Sequence, residues 1–298
     1  MSKNDYMLDR LKEHITQLSP EQRSILDDYM VGALAGDAET QRTQYGLELA
    51  VDYLDEAHEL VKQWGKMQGL SSYYPSIDAM TKGFVAGEVT VIGGATSNGK
   101  TTLAVNICAR MVAHGIPVLF VTLEMTKAQL TSRMMFVQDN FEDFAGNLSY
   151  QSADEMNWQS IDGLIAGAVQ QLGVKMVIID HLHYFTRELQ NVAEDLGRIT
   201  KEFKKNAQRH NIPIILISHT RKGQGNDIND LRGSSYIAQD ADIVLMVSRP
   251  EDYPSQFLVS IQKNRNRGFD ANAAEKYFTF DKTRIIDDMD TPWNTSAR

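Results

Sequence analysis

Between the apolar run "EVTVI" and the helically spaced "LAVNICARMVAHG" the chain reads GGATSNGKTT, residues 93–102. Gly94 to Thr101 match G-x-x-x-x-G-K-[ST]. In such a turn small residues let successive backbone N–H groups close around a phosphate, and the helix that follows aims its positive dipole end at the same point. Gly94, Ala95, Thr96, Ser97, Asn98, Gly99, Lys100, Thr101 and Thr102 then form a nucleotide cradle. Lys100 reaches the β and γ phosphates and the Thr101 hydroxyl ligates Mg2+. A chance match is the competing explanation, and the placement between a strand and a helix argues against it.

Other residues with usable chemistry stand at the ends of apolar runs. Asp180, after "MVII", has the position and chemistry of the second carboxylate of a magnesium site; the plainer reading is an Asp capping its turn. Glu124, after "VLFVTL", suits a base that orients and deprotonates an attacking water, or is only a solvated glutamate. His219, after "IILIS", could contact a γ phosphate or be a structural histidine. His181 and His183 have no spacing with Cys or further carboxylates that suggests a zinc site, and read as structural or loop residues. In "IQKNRNRG", Lys263 and Arg265 are two apart and share one face of an extended strand. Such a pair is a solvated edge, or it meets a phosphate, with one member acting as an arginine finger if the site is shared between subunits.

These residues need a scaffold that brings strand ends together. The runs "EVTVIGG", "IPVLFVTLE", "VKMVIID", "IPIILISH", "DIVLMVS" and "FLVSIQKNR" are short and almost wholly apolar, with helical spacing over 101–114, 159–172 and 190–209. That pattern predicts an α/β fold: a mostly parallel sheet covered by helices on both faces, with an antiparallel extension at one edge. In an open α/β sheet ligands bind beyond the carboxyl ends of the strands, where these candidates fall. Upstream, the first seventy residues read as helices. Ser19, Pro20 and Gln22 mark one helix start, and Leu49, Tyr53, Leu54, His58, Val61 and Trp64 form a stripe on another.

Bulk composition narrows the class. A net charge of −9 argues against a surface that grips duplex DNA all over, but leaves room for a local basic site. No apolar run approaches the roughly 20 residues needed to cross a bilayer, so no membrane partner is expected. Cys108, the single cysteine, lies in a helical apolar pattern and reads as a buried thiol; a reducing cytoplasm fits.

Taken together the motifs resemble hexameric replicative DNA helicases of the DnaB type, especially the helicase part of phage primase–helicases, over about residues 71–285. "YPSIDAMTKGFVAGEVTVIGGATSNGKTTLAVNI" is similar to the family's entry segment and phosphate loop. "VLFVTLEM", "VIIDHL" and "IILISHTRK" resemble its catalytic-glutamate, second nucleotide and sensor motifs. "DLRGSSYIAQDADIVLMVSR" and the K-x-R-x-x-G of "KNRNRG" complete the set, and D-L-R-G-S with Q-D-A-D makes it specific. The resemblance implies a RecA-like P-loop core with a small helical N-terminal region: 1–46 helical, 47–70 a linker helix packing on the next subunit, 71–298 the ATPase domain. It implies an ATP-dependent replicative helicase, a homo-hexameric ring that translocates on single-stranded DNA with Mg2+ and ATP, other nucleoside triphosphates being open. A primase or helicase loader would be a further partner, in a bacterial or phage-infected host cytoplasm. Lys263 and Arg265 become fingers acting on the neighbour's nucleotide. Arg232, Gly233 and Ser235 grip the strand in the channel, with Ser235 standing where the family often has Gly. Arg221 and Lys222 start a second channel loop. The alternative is a RecA-like recombination, repair or regulatory ATPase that does not unwind.

Overall fold

Successive residues of a strand point to opposite faces, so a strand that is apolar throughout must be covered twice. In the computed structural model this decides the architecture. β1 (Val89–Gly94), β2 (Val118–Thr122), β4 (Met176–Asp180), β5 (Ile214–His219) and β6 (Ile243–Ser248) each feed two separate cores. Ile92, Phe120, Ile178, Ile215 and Leu245 face one core. Val91, Val121, Ile179, Leu216 and Met246 face the other. Helices α3 (Lys100–Ala113) and α4 (Lys127–Val137) close the first, and α5 (Ile161–Leu172) and α6 (Val192–Arg209) the second. On α6 the buried residues are Leu196, Ile199, Phe203 and Ala207, one helical stripe. Burying each of the three large side chains contributes about 1.5–3 kcal/mol.

The structure describes residues 19, 20, 23, 53–62, 68–152, 160–186, 192–220, 237, 239–250, 255–265, 275–281 and 283–287. The chain divides into two units, Met1–Lys62 and Gln63–Arg298. In the first, Pro20 is helical and the Arg23 N–H donates to the Ser19 carbonyl at 2.9 Å. Its helix α1 (Leu54–Lys62) leaves Tyr53 and Leu54 exposed. Leu49 and Trp64, like Gln22, lie outside the described residues.

In the second unit α2 (Pro75–Thr81) precedes β1. The sheet has nine strands in the order β3-β2-β4-β5-β1-β6-β7-β8-β9. β3 is Leu148–Ser152, β7 Gln256–Asn264, β8 Glu275–Asp281 and β9 Arg284–Ile286. Strands β1 to β6 pair in parallel, and β7 to β9 add the antiparallel extension. The six apolar runs are all strands. Strands β3, β8 and β9 were not legible, because "LSYQS", "EKYFTFD" and "RII" are half-exposed and mixed in polarity.

Candidate active site

Ladder register decides which side chains meet. Gly94 pairs with His219 across β1 and β5, and Thr122 pairs with Asp180 across β2 and β4. Two further hydrogen bonds tie these ends together: Leu123 N–H to the Asp180 carbonyl at 2.7 Å, and Thr220 N–H to the Gly94 carbonyl at 3.2 Å. Glu124 sits in the tight turn from β2 to α4. There the Thr122 hydroxyl donates to the Met125 carbonyl at 2.8 Å and accepts the Met125 N–H at 3.3 Å. A capping box then fixes the start of α4: the Thr126 hydroxyl accepts the Gln129 N–H, and the Gln129 side chain accepts the Thr126 N–H. The glutamate is thus held between two locked segments while 45% of its side chain stays exposed.

The loop of residues 94–99 curls over the start of α3. At Gly94 an added Cβ would lie 2.3 Å from the Val247 carbonyl oxygen, so the close approach of β6 excludes any side chain. Gly99 caps α3 at φ +100°, a conformation glycine adopts without penalty. Asn98 latches the loop by donating to the Val247 carbonyl at 3.3 Å, and the Lys100 amine donates to the Ala95 carbonyl at 2.8 Å.

Electrostatically the centre is a buried, coupled pair. Burial pushes Asp180 up to about 6; the Thr101 hydroxyl opposes this, the Glu124 charge adds to it, and Lys100 and Arg133 oppose it. Burial likewise lowers Lys100 to about 8, with Asp180 and Glu124 pulling the other way. Both Asp180 oxygens are buried with no partner in hydrogen-bonding geometry, although the Thr101 hydroxyl is near enough to act on the carboxyl. A desolvated carboxylate beside a hydroxyl and a phosphate-shaped loop fits a hard, oxygen-preferring divalent cation.

Lys263 and Arg265 are not in this group. Val91 pairs with Val244, and Val244 with Lys263, which places Lys263 level with a residue three positions before Gly94 and two strands away. At about 3.3 Å per residue and 4.8 Å per strand, each displacement is about 10 Å. Their side chains turn further from the loop. The Lys263 amine donates to the carbonyls of Ala241 (2.6 Å) and Gln239 (3.3 Å). Arg265 donates to Gln239 and lies 3.8 Å from the buried Asp242. Asp242 itself accepts from Val89 N–H at 2.8 Å and from Lys204 at 2.7 Å. Arg221, Lys222, Arg232, Gly233 and Ser235 lie outside the described residues.

Some neighbours escaped the sequence reading. His181 Nδ1 is 3.2 Å from Glu124 Oε1, so this histidine belongs to the site rather than to a loop. Phe280 of β8 comes within 3.2 Å of a Cβ built on Gly99, and Arg249 lies 5.3 Å from the Phe280 ring. The strand-end rule could have found Arg249; nothing in "EKYFTFD" signals a role for Phe280. Cys108 is fully buried in α3 and burial pushes its thiol up, which removes it as a nucleophile.

A phosphate-type loop leaving the central strand, with acidic side chains beyond the two strands on one side of it, defines a RecA-like P-loop core. The chain belongs to the AAA domain family, whose model matches residues 56–225. It is similar to a probable replicative DNA helicase of Trieres chinensis, 30% identical over 223 residues, which are 63% of this chain and 49% of that protein. It is also similar to the replicative DNA helicase DnaC of Bacillus subtilis (strain 168), 25% identical over 70% of this chain and 53% of that protein. The chain spans about half the length of the curated relatives it matches. The fold is that of a solved helicase ATPase domain, with a TM-score of 0.68 at 19% identity over 80% of this chain and 98% of that one. A DnaB-like replicative helicase, described with its interactions with primase, gives 0.67 at 19% identity over 95% of this chain and 76% of that one. The relatives carry the names that the motifs led us to expect.

Proposed function

We propose that this chain is the motor of a ring-forming replicative DNA helicase that hydrolyses ATP, or another nucleoside triphosphate, where neighbouring copies meet. The polyphosphate lies in the cradle of residues 94–102, with Lys100 on the β and γ phosphates. A Mg2+ ion held by Thr101 and Asp180, directly or through water, neutralises phosphate charge when bound. Glu124 orients the attacking water and takes its proton, and His219 contacts the γ phosphate and registers its loss. Lys263 and Arg265 serve the site of the adjoining copy, where an arginine finger is worth roughly 10³–10⁵ in rate. Arg221, Lys222, Arg232, Gly233 and Ser235 hold the backbone of single-stranded DNA by charge and N–H donation, which carries little sequence information.

The observation that carries this reading is the division of labour along the sheet. Lys100, Glu124, Asp180 and His219 gather at one end, and two cations that could complete a phosphate site lie at the other, out of reach of their own loop. We assign residues 1–46 to a helical region, 47–70 to a linker helix that packs on the next subunit, and 71–298 to the motor. No helix among the described residues is long and apolar enough to cross a membrane, and we place the protein in the cytoplasm, with a primase or loader as a further partner.

Hydrolysis and unwinding tested on two variants probe this reading. Lys100→Ala abolishes both. Arg232→Ala keeps basal hydrolysis and loses its stimulation by single strands. If Arg232→Ala retained full stimulation and strand affinity, the channel assignment would be wrong; hydrolysis without unwinding in the unaltered protein would favour a RecA-like ATPase of another kind.

A further inference from the structure

Three side chains from three different strand ends converge beside the phosphate loop. Glu124 Oε1 lies 3.2 Å from His181 Nδ1 and 4.0 Å from His219 Nε2. One ligand atom from each of the three falls within 4.8 Å of the other two. The imidazoles meet edge to face with ring centroids 4.6 Å apart, while His183, 5.6 Å from the His219 ring, stays outside the set.

Those spacings have a chemical meaning. A tetrahedral ion bonded at about 2.0–2.1 Å keeps its donors roughly 3.3–3.4 Å apart. The Glu124–His181 pair is already at that separation, and the 4.0 Å gap to His219 closes with a small rotation of the exposed glutamate. Two imidazoles and one carboxylate suit a borderline-soft transition ion, whereas magnesium prefers oxygen donors such as those of Asp180 and Thr101. His181 is buried and His219 mostly so, leaving the Glu124 side open for a water or a fourth ligand.

We propose that Glu124, His181 and His219 form a second cation site, distinct from the magnesium position, which takes Zn2+ or a similar transition ion and thereby withdraws Glu124 from the attacking water. Binding of the ion stands apart from the motor reading. The consequence, reversible inhibition of hydrolysis by zinc, rests on it.

The test titrates the full chain, free of nucleotide, with Co2+ and follows visible absorption, then displaces it with Zn2+. One equivalent should develop the intense bands of a four- or five-coordinate ion, and zinc should abolish them. His181→Asn, His219→Gln and the solvent-facing Glu124→Gln should each weaken Co2+ binding by about 10–100-fold or more, since even outer partners of a metal site are worth that much. Asp180→Asn should keep the spectrum. A wild-type titration showing only the weak bands of hydrated Co2+ would overturn the proposal. So would bands lost in Asp180→Asn but kept in both histidine variants, because the ion would then occupy the magnesium position. In the hydrolysis arm, Zn2+ with Mg-ATP in excess lowers turnover and a chelator restores it. Turnover unaffected by Zn2+ at concentrations that displace Co2+ would overturn the inhibitory consequence. A protein that binds Co2+ as expected but never hydrolyses ATP would sink the motor reading and leave the metal site standing.

Discussion

Asp180 shows how a single carboxyl trades stability for chemistry. Its folded pKa of about 6 lies above the ordinary 3.8, so the folded state holds the proton more tightly between those values. Stability from this group is therefore greatest below pH 3.8 and falls as pH rises through about 6, by something on the order of 1–3 kcal/mol. Asp180→Asn should melt higher than the unaltered protein at pH 7.5 while losing magnesium-dependent hydrolysis, and the difference in melting temperature should shrink below pH 6. A lower melting temperature at pH 7.5 would mean that the carboxylate is paired rather than desolvated. Lys100 completes the window. Its amine is charged below about 8 and Asp180 is ionised above about 6, so magnesium-dependent affinity for an ATP analogue should peak between them. On either side it should fall by up to about tenfold per pH unit, measured by titration calorimetry. At this scale much was legible: Lys100, Asp180 and Glu124 stand where their motifs put them. His181 was not. Metal-ligand spacing is sought along the chain, whereas Glu124, His181 and His219 become neighbours only through register between strands.

Elements set the precision of the site. The turn from Thr122 to Thr126 carries Glu124 between the end of β2 and the capping box of α4, and its internal hydrogen bonds leave the backbone little freedom. Thr126→Ala removes a cap worth about 1 kcal/mol, so the melting temperature should fall measurably. The turnover number should fall with it while the Michaelis constant changes less, since Glu124 acts on the water more than on the bound nucleotide. Gly94→Ala is the harsher change. Its Cβ would collide with the Val247 carbonyl, a backbone atom, and the phosphate loop must shift away from β6. Nucleotide affinity should drop at least tenfold even if the domain still folds, as read by calorimetry and circular dichroism. The central strands were readable because both faces are buried and their sequences are apolar throughout. The outer strands β3, β8 and β9 owe their place to pairing with neighbours, which half-exposed residues do not announce.

The whole molecule turns on the two ends of its sheet. Asp242 organises the far end by accepting from the start of β1 and from Lys204, and Arg265 and Lys263 cluster around it and the carbonyls before β6. Asp242 belongs to the Q-D-A-D stretch that gave the family resemblance its specificity, and here it buttresses the parallel strands beneath the site. What a single chain holds apart, an assembly must bring together. The most direct measurement mixes Lys100→Ala chains with Arg265→Ala chains and follows nucleotide hydrolysis against each variant alone. If Arg265 serves the neighbour's site, mixed assemblies regain part of the lost activity, because some interfaces pair an intact cradle with an intact arginine. Hydrolysis no greater than the sum of the two separate variants would contradict the shared site.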